Sequence, residues 1–73
     1  MEMTGVASDI ISKIGYDNIN EIMLVEFKNG SIYQYNGVPD QVYYSFLNSN
    51  SKGKFFHSTI KNNYSGSKIL IDR

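Results

Sequence analysis

The sequence contains no cysteine and no tryptophan, and it has a single proline and a single histidine. Without cysteine there is neither a disulfide nor a thiolate metal site, and His57 alone cannot supply the several imidazoles a zinc site ordinarily takes. No metal site and no cofactor are expected. No stretch approaches the roughly 18 apolar residues of a membrane-spanning helix. The N-terminal MEMTGVASDIISKIG lacks the basic stretch and apolar run of a secretory signal. A cytoplasmic protein with no membrane partner is expected. At 73 residues the chain is one domain, and a domain this small buries only about 60% of the surface its unfolded chain exposes. With disulfides and metals excluded, oligomerisation is the remaining common supplement to so small a core. A homo-oligomer is therefore expected.

Net charge is also missing, because seven basic residues balance seven acidic ones. The balance conceals a polarity. Residues 1–51 hold Lys13 and Lys28 against six carboxylates, a net charge of −4, while residues 52–73 hold Lys52, Lys54, Lys61, Lys68 and Arg73 against Asp72, a net charge of +4. Such a chain can present a basic face to an anion while staying neutral overall. The alternative is a scattering of solvated lysines, since a phosphate is bound by charges clustered in space.

What the sequence does have is aromatic residues at strand and helix spacing, six Tyr and four Phe. Ile10, Ser12, Ile14 and Tyr16 alternate with Ile11, Lys13 and Gly15, which predicts a short strand followed by a polar turn. Residues 22–28 alternate most clearly, and Asn29-Gly30 after them is the strongest short hairpin signal, because a two-residue type I′ turn requires positive φ at both positions. That turn sets Phe27 opposite Ile32 and Glu26 opposite Tyr33. One face then carries Met23, Val25, Phe27 and Ile32 as core, and the other displays Tyr33 and Tyr35 beside Leu24, Glu26 and Lys28. Pro39 and Asp40 suit the first turn of a helix, whose stripe of Val42, Tyr43, Phe46 and Leu47 covers the core face with Tyr44 outside. Ser51 is placed to cap a second helix over residues 52–62, with Phe56, Ile60 and Tyr64 on its inner side. The closing KILIDR suits a short edge strand, an oligomer contact or a frayed tail. The expected fold is α+β, a three-stranded antiparallel β-meander followed by two short helices. A single domain over residues 6–68 is expected, with residues 1–5 and 69–73 as flexible or interface-forming ends.

The order SDIISKIGYD at residues 8–17, VEFKNG at 25–30, YQY at 33–35, GVP at 37–39 and SKGKFF at 51–56, ending in Ile60-Lys61 and Tyr64, resembles the KTSC domain over residues 8–64. That resemblance implies a β-β-β-α-α unit with the Tyr33-x-Tyr35 pair as its central motif. The family occurs as single-domain proteins of bacteria and phages and as a C-terminal appendage of some lysyl-tRNA synthetases, a context that implies RNA binding. It carries no catalytic residue onto this chain. Where members have arginine-rich tails, this chain has NNYSGSK.

No catalytic constellation is present. His57 is the one imidazole available to a serine nucleophile, no Gly-x-Ser-x-Gly elbow exists, and Glu21 and Glu26 have no apolar pocket to raise a pKa. A non-enzymatic protein is expected. Lys52-Gly53-Lys54 at a helix start is a candidate anion site, and Tyr33 and Tyr35 are rings that can stack on bases or centre a protein interface. The candidate ligand-binding residues are accordingly Tyr33, Tyr35, Lys52, Lys54, His57 and Lys61. Three roles stay open: a module contacting RNA or other nucleic acid, an oligomer that sequesters a small phosphorylated nucleotide such as a signal of host defence, and a module or inhibitor that binds a protein partner.

Overall fold

A computed structural model describes residues 2–69 of the chain. Its elements in order are β1 (Met3–Gly5), β2 (Ile11–Asp17), β3 (Ile22–Phe27), β4 (Ile32–Asn36), α1 (Asp40–Leu47), α2 (Lys52–Phe55), a π-helical turn (Phe56–Ile60) and β5 (Ser65–Ile69). The five strands form one antiparallel sheet in the order β1-β2-β3-β4-β5. The fold is α+β as expected, but the three predicted strands are the centre of a five-stranded sheet. Residues 3–5 supply one edge strand, and Lys68 and Ile69 belong to the other, whereas residues 70–73 lie outside the described residues.

The hairpin differs from its predicted register by one residue, and the difference has a local cause. Gly30 has φ 93°, but Asn29 does not share the positive φ that a type I′ turn needs at both positions. The loop is instead three residues long. Phe27 accepts a hydrogen bond from the Gly30 N–H at 2.9 Å and donates one to the Ser31 carbonyl at 2.8 Å. The Asn29 side-chain carbonyl accepts from the Ser31 N–H at 3.0 Å and fixes the turn. Val25 now stands opposite Tyr33, and Met23 opposite Tyr35. This register puts both tyrosines on the core face and Ile32, Gln34 and Asn36 on the other. The two-residue loop would have turned Gln34 and Asn36 toward the core, where an unpartnered carboxamide costs about 1–3 kcal/mol. On the open face the Gln34 amide donates to the Asn36 side-chain oxygen at 3.0 Å.

Strand β2 carries a second departure. A bulge between Ile11 and Lys13 lets Ile11 and Ile14, three residues apart, both reach the interior, each with no exposed surface. Ile10, predicted to share a face with Ile14, is turned out and 39% exposed. The core is completed by Met23, Val25, Tyr35, Val38, Phe46, Phe56 and Ile60. Both helices lie over this face, with Val42, Tyr43 and Leu47 packed beside the buried Phe46. At the β1 side, Tyr16 and Tyr43 stack with centroids 4.6 Å apart, and the Tyr16 hydroxyl donates to the Val38 carbonyl.

Ser51 stands at the N-cap of α2 but its hydroxyl makes no capping bond, contrary to expectation. Its carbonyl accepts from the Phe55 N–H at 3.0 Å, and its own N–H donates to the Ser49 hydroxyl. The helix then widens. Lys61 donates its N–H to the Phe56 carbonyl at 2.9 Å, a ring closed one residue later than in an α-helix.

Candidate functional site

A cleft of about 300 Å³ opens between the β3–β4 hairpin and the π turn, lined by Phe27, Asn29, Ser31, Tyr33, Tyr35, Phe56, His57 and Lys61. Each wall follows from a feature already described. The three-residue loop brings Tyr33 and Tyr35 onto the helix side of the sheet, and Asn29 and Ser31 sit at its end. The π turn sets Lys61 above Phe56, so that Phe56, His57 and Lys61 reach one side together. In a regular α-helix, Ile60 rather than Lys61 would stand over Phe56.

The aromatic walls are held edge to face. Phe56 meets Phe27 at 5.2 Å and Tyr35 at 5.6 Å between centroids, and Phe27 meets Tyr33 at 5.7 Å, with interplanar angles from 76° to 86°. Tyr35 is the floor, 5% exposed, whereas Tyr33 is half-buried and nearer the mouth. Gly66 of β5 lies opposite Tyr35, and the absence of its side chain is what makes room for the ring. A Cβ there would stand 2.9 Å from Tyr35 Cδ1. Lys61 and His57 line the cleft, and among the described residues no carboxylate does. The site is therefore a cationic rim over an aromatic hollow.

The structure brings four of the six sequence-predicted residues, Tyr33, Tyr35, His57 and Lys61, around one cleft. The expected open display of the tyrosines is corrected: they are walls and floor. Lys54 borders a neighbouring groove with His57. Lys52 turns away, its ammonium donating to the Ser49 carbonyl at 2.7 Å, and it lines a separate groove with Ala7, Ser8 and Asp9. Sequence reasoning missed Phe27, Asn29, Ser31 and Phe56 as lining residues. It also missed Lys68, which stands opposite Tyr33 on the same face of the sheet. The signal for Lys68 lay in the pairing of β5, a strand with no hydrophobic alternation to announce it. Among the described residues no group of three or more His, Asp or Glu could hold a metal ion, and no helix is long and apolar enough to cross a membrane.

Burial raises the hydroxyl pKa of Tyr35, with Tyr33 adding to it. Burial also raises Tyr43, against the Thr4 hydrogen bond, and Tyr16, where Glu21 and Asp40 add to the effect. A tyrosine whose folded pKa lies above its unfolded value of about 10 contributes stability that is present below pH 10 and lost as pH rises through the folded value. The urea midpoint is expected to hold steady to about pH 9 and to fall beyond about pH 10. A midpoint unchanged at pH 11 would contradict the burial of these hydroxyls.

Comparison with known proteins places the geometry in a family. The KTSC domain profile matches residues 7–64. The crystal structure of a KTSC domain protein from Yersinia pestis superposes with a TM-score of 0.89 at 37% identity, covering 94% of this chain and 97% of that one. An uncharacterised protein of Stutzerimonas stutzeri is 33% identical over 84% of this chain and 86% of its own length. A lysine–tRNA ligase of Trichormus variabilis is 35% identical over 74% of this chain, a stretch amounting to 10% of the ligase.

Proposed function

The chain belongs to the KTSC domain family, and from that premise we propose that it is a small non-enzymatic binding module that contacts nucleic acid, RNA above all. One base lies in the hollow lined by Tyr33, Phe27 and Phe56 over Tyr35, and the adjoining phosphate meets Lys61 and His57. The observation that carries this reading is the combination of about 300 Å³ of aromatic hollow with a rim that holds Lys61 and His57 and, among the described residues, no carboxylate. That volume is at the lower end of small-molecule sites, and stacking a base on such rings is worth about 1–3 kcal/mol. The likeness to a tenth of an enzyme named for a tRNA supports RNA as the source of the base.

The closure of the tyrosines into a cleft favours a second reading, the capture of a free phosphorylated nucleotide. Salt separates the two. Titration with a single-stranded oligoribonucleotide should show affinity falling steeply with salt, and Lys61→Ala should weaken binding and reduce the log–log salt slope by about 1. Capture of a free nucleotide should show a shallow slope and no gain with strand length. Binding of neither, with the cleft resonances unmoved in an NMR titration, would overturn both readings and leave a protein partner as the occupant to seek.

A further inference from the structure

The cleft does not end at His57. The same imidazole borders a second, shallower groove of about 740 Å³ formed with Ile10, Ser51, Gly53, Lys54 and Ser58. Its floor is apolar and open. Ile10 is turned outward by the β2 bulge and is among the few large apolar side chains left exposed. Gly53 keeps that floor clear, since a Cβ there would stand 3.3 Å from Ile10 Cδ1. Lys54, His57 and Lys61 follow one another along α2 and the π turn, and the two grooves they border meet at His57. All three are exposed. Lys61 borders the first hollow, Lys54 the second, and His57 both.

The sequence of surfaces is thus apolar seat, cationic ridge, apolar seat. Resting on the reading of the first cleft as a base site, we propose that the unit recognised is a dinucleotide step. One base sits against the Tyr33 and Phe56 rings, the second lies on Ile10 and Gly53, and the phosphodiester between them crosses the ridge at His57, within reach of Lys54 and Lys61. A single nucleotide matches only half of this order. The step can come from a free dinucleotide or from consecutive residues of a single strand, since both present two planar rings joined by one anion.

The test is an NMR titration of the full chain with ribonucleoside monophosphates, dinucleoside monophosphates and a longer single-stranded oligoribonucleotide. The best dinucleotide is expected to bind about tenfold or more tightly than the best mononucleotide, because a second base covers the apolar surface of Ile10 and the linking phosphate meets Lys54. It should also shift the resonances of Ile10, Gly53 and Ser58 together with those of Tyr33 and Lys61. Lys54→Ala and Ile10→Ser, both at exposed positions, should reduce the dinucleotide-to-mononucleotide affinity ratio severalfold, with circular dichroism confirming that each variant is folded. Affinity that stops rising at the dinucleotide identifies a free dinucleotide, and affinity that rises further with length identifies a strand; either supports the proposal. Mononucleotides that bind as tightly as dinucleotides overturn it and leave the first cleft's reading intact. Failure of every probe to bind removes both.

Discussion

Tyr35→Ala is expected to unfold much of the protein, whereas Tyr35→Phe should leave it folded. The ring is 5% exposed and wedged edge-on against Phe56. Truncating a buried aromatic side chain to alanine costs about 3–5 kcal/mol in transfer and cavity terms. The total stability of a chain this long is only about 4–11 kcal/mol. Loss of the ring is therefore comparable with everything that holds the domain together. With a urea slope near 1 kcal/mol/M, the midpoint of Tyr35→Ala should fall by about 3 M or vanish, as followed by circular dichroism. Tyr35→Phe should move it by less than about 1 M, because among the described residues the hydroxyl makes no hydrogen bond that its loss would break. A Tyr35→Ala protein with an unchanged midpoint would refute the assignment of this ring to the core. The sequence alone led to the opposite expectation, placing both tyrosines on the displayed face of the sheet, away from the core. For Tyr35 the core register corrects that, and a conservative change is the appropriate probe of binding there.

Gly66→Val should destabilise the protein, against the usual trend for strands. Glycine in a strand interior ordinarily weakens it, and valine is among the best strand formers, a difference approaching 1 kcal/mol in favour of the substitution. Here the geometry reverses the sign. A Cβ at Gly66 would lie 2.9 Å from Tyr35 Cδ1 and 3.0 Å from Cζ, and the ring cannot retreat because Phe56 stands behind it. Overpacking of this kind costs about 1–3 kcal/mol, so steric strain outweighs propensity. The check is the denaturation midpoint of Gly66→Val alone and combined with Tyr35→Leu. The two substitutions should be strongly non-additive, because shortening residue 35 removes the obstruction. A midpoint raised by Gly66→Val would mean that the ring does not lie over β5.

The three central strands, both helices and the inner stripe of α1 were legible because each has a side-chain period that burial enforces. The register was not, although its clue was present. In IYQYN the alternation of Tyr with Gln and Asn assigns the tyrosines to the interior, while Asn29-Gly30 as a two-residue turn assigns them to the surface. The two signals conflict, and burial of two aromatic rings and avoidance of a buried carboxamide decide it. The edge strands left little trace, since MTG and SGSKI are held by backbone hydrogen bonds to one neighbour and have few side chains to bury. Of the candidate site, the residue types were readable and their grouping was only partly so. Lys52 and Lys54 flank one glycine in the sequence, yet the hydrogen bond to Ser49 draws Lys52 away, and nothing in FHSTI announces the widened turn that brings Lys61 to the cleft.

That turn makes the cleft depend on how the segment is wound as well as on which residues it holds. A π turn holds one residue more than the α-helical turn it replaces, and is in effect an insertion absorbed without breaking the helix. Removing Ser58 or Thr59 would let the segment rewind to α geometry with Lys61 four residues after Phe56 instead of five. Lys61 would then keep its place over Phe56, whereas the same rewinding without a deletion would put Ile60 there and carry Lys61 off the rim. Among related chains, a one-residue gap in this segment is therefore compatible with the same rim, whereas a chain of the same length wound as a plain α-helix is not.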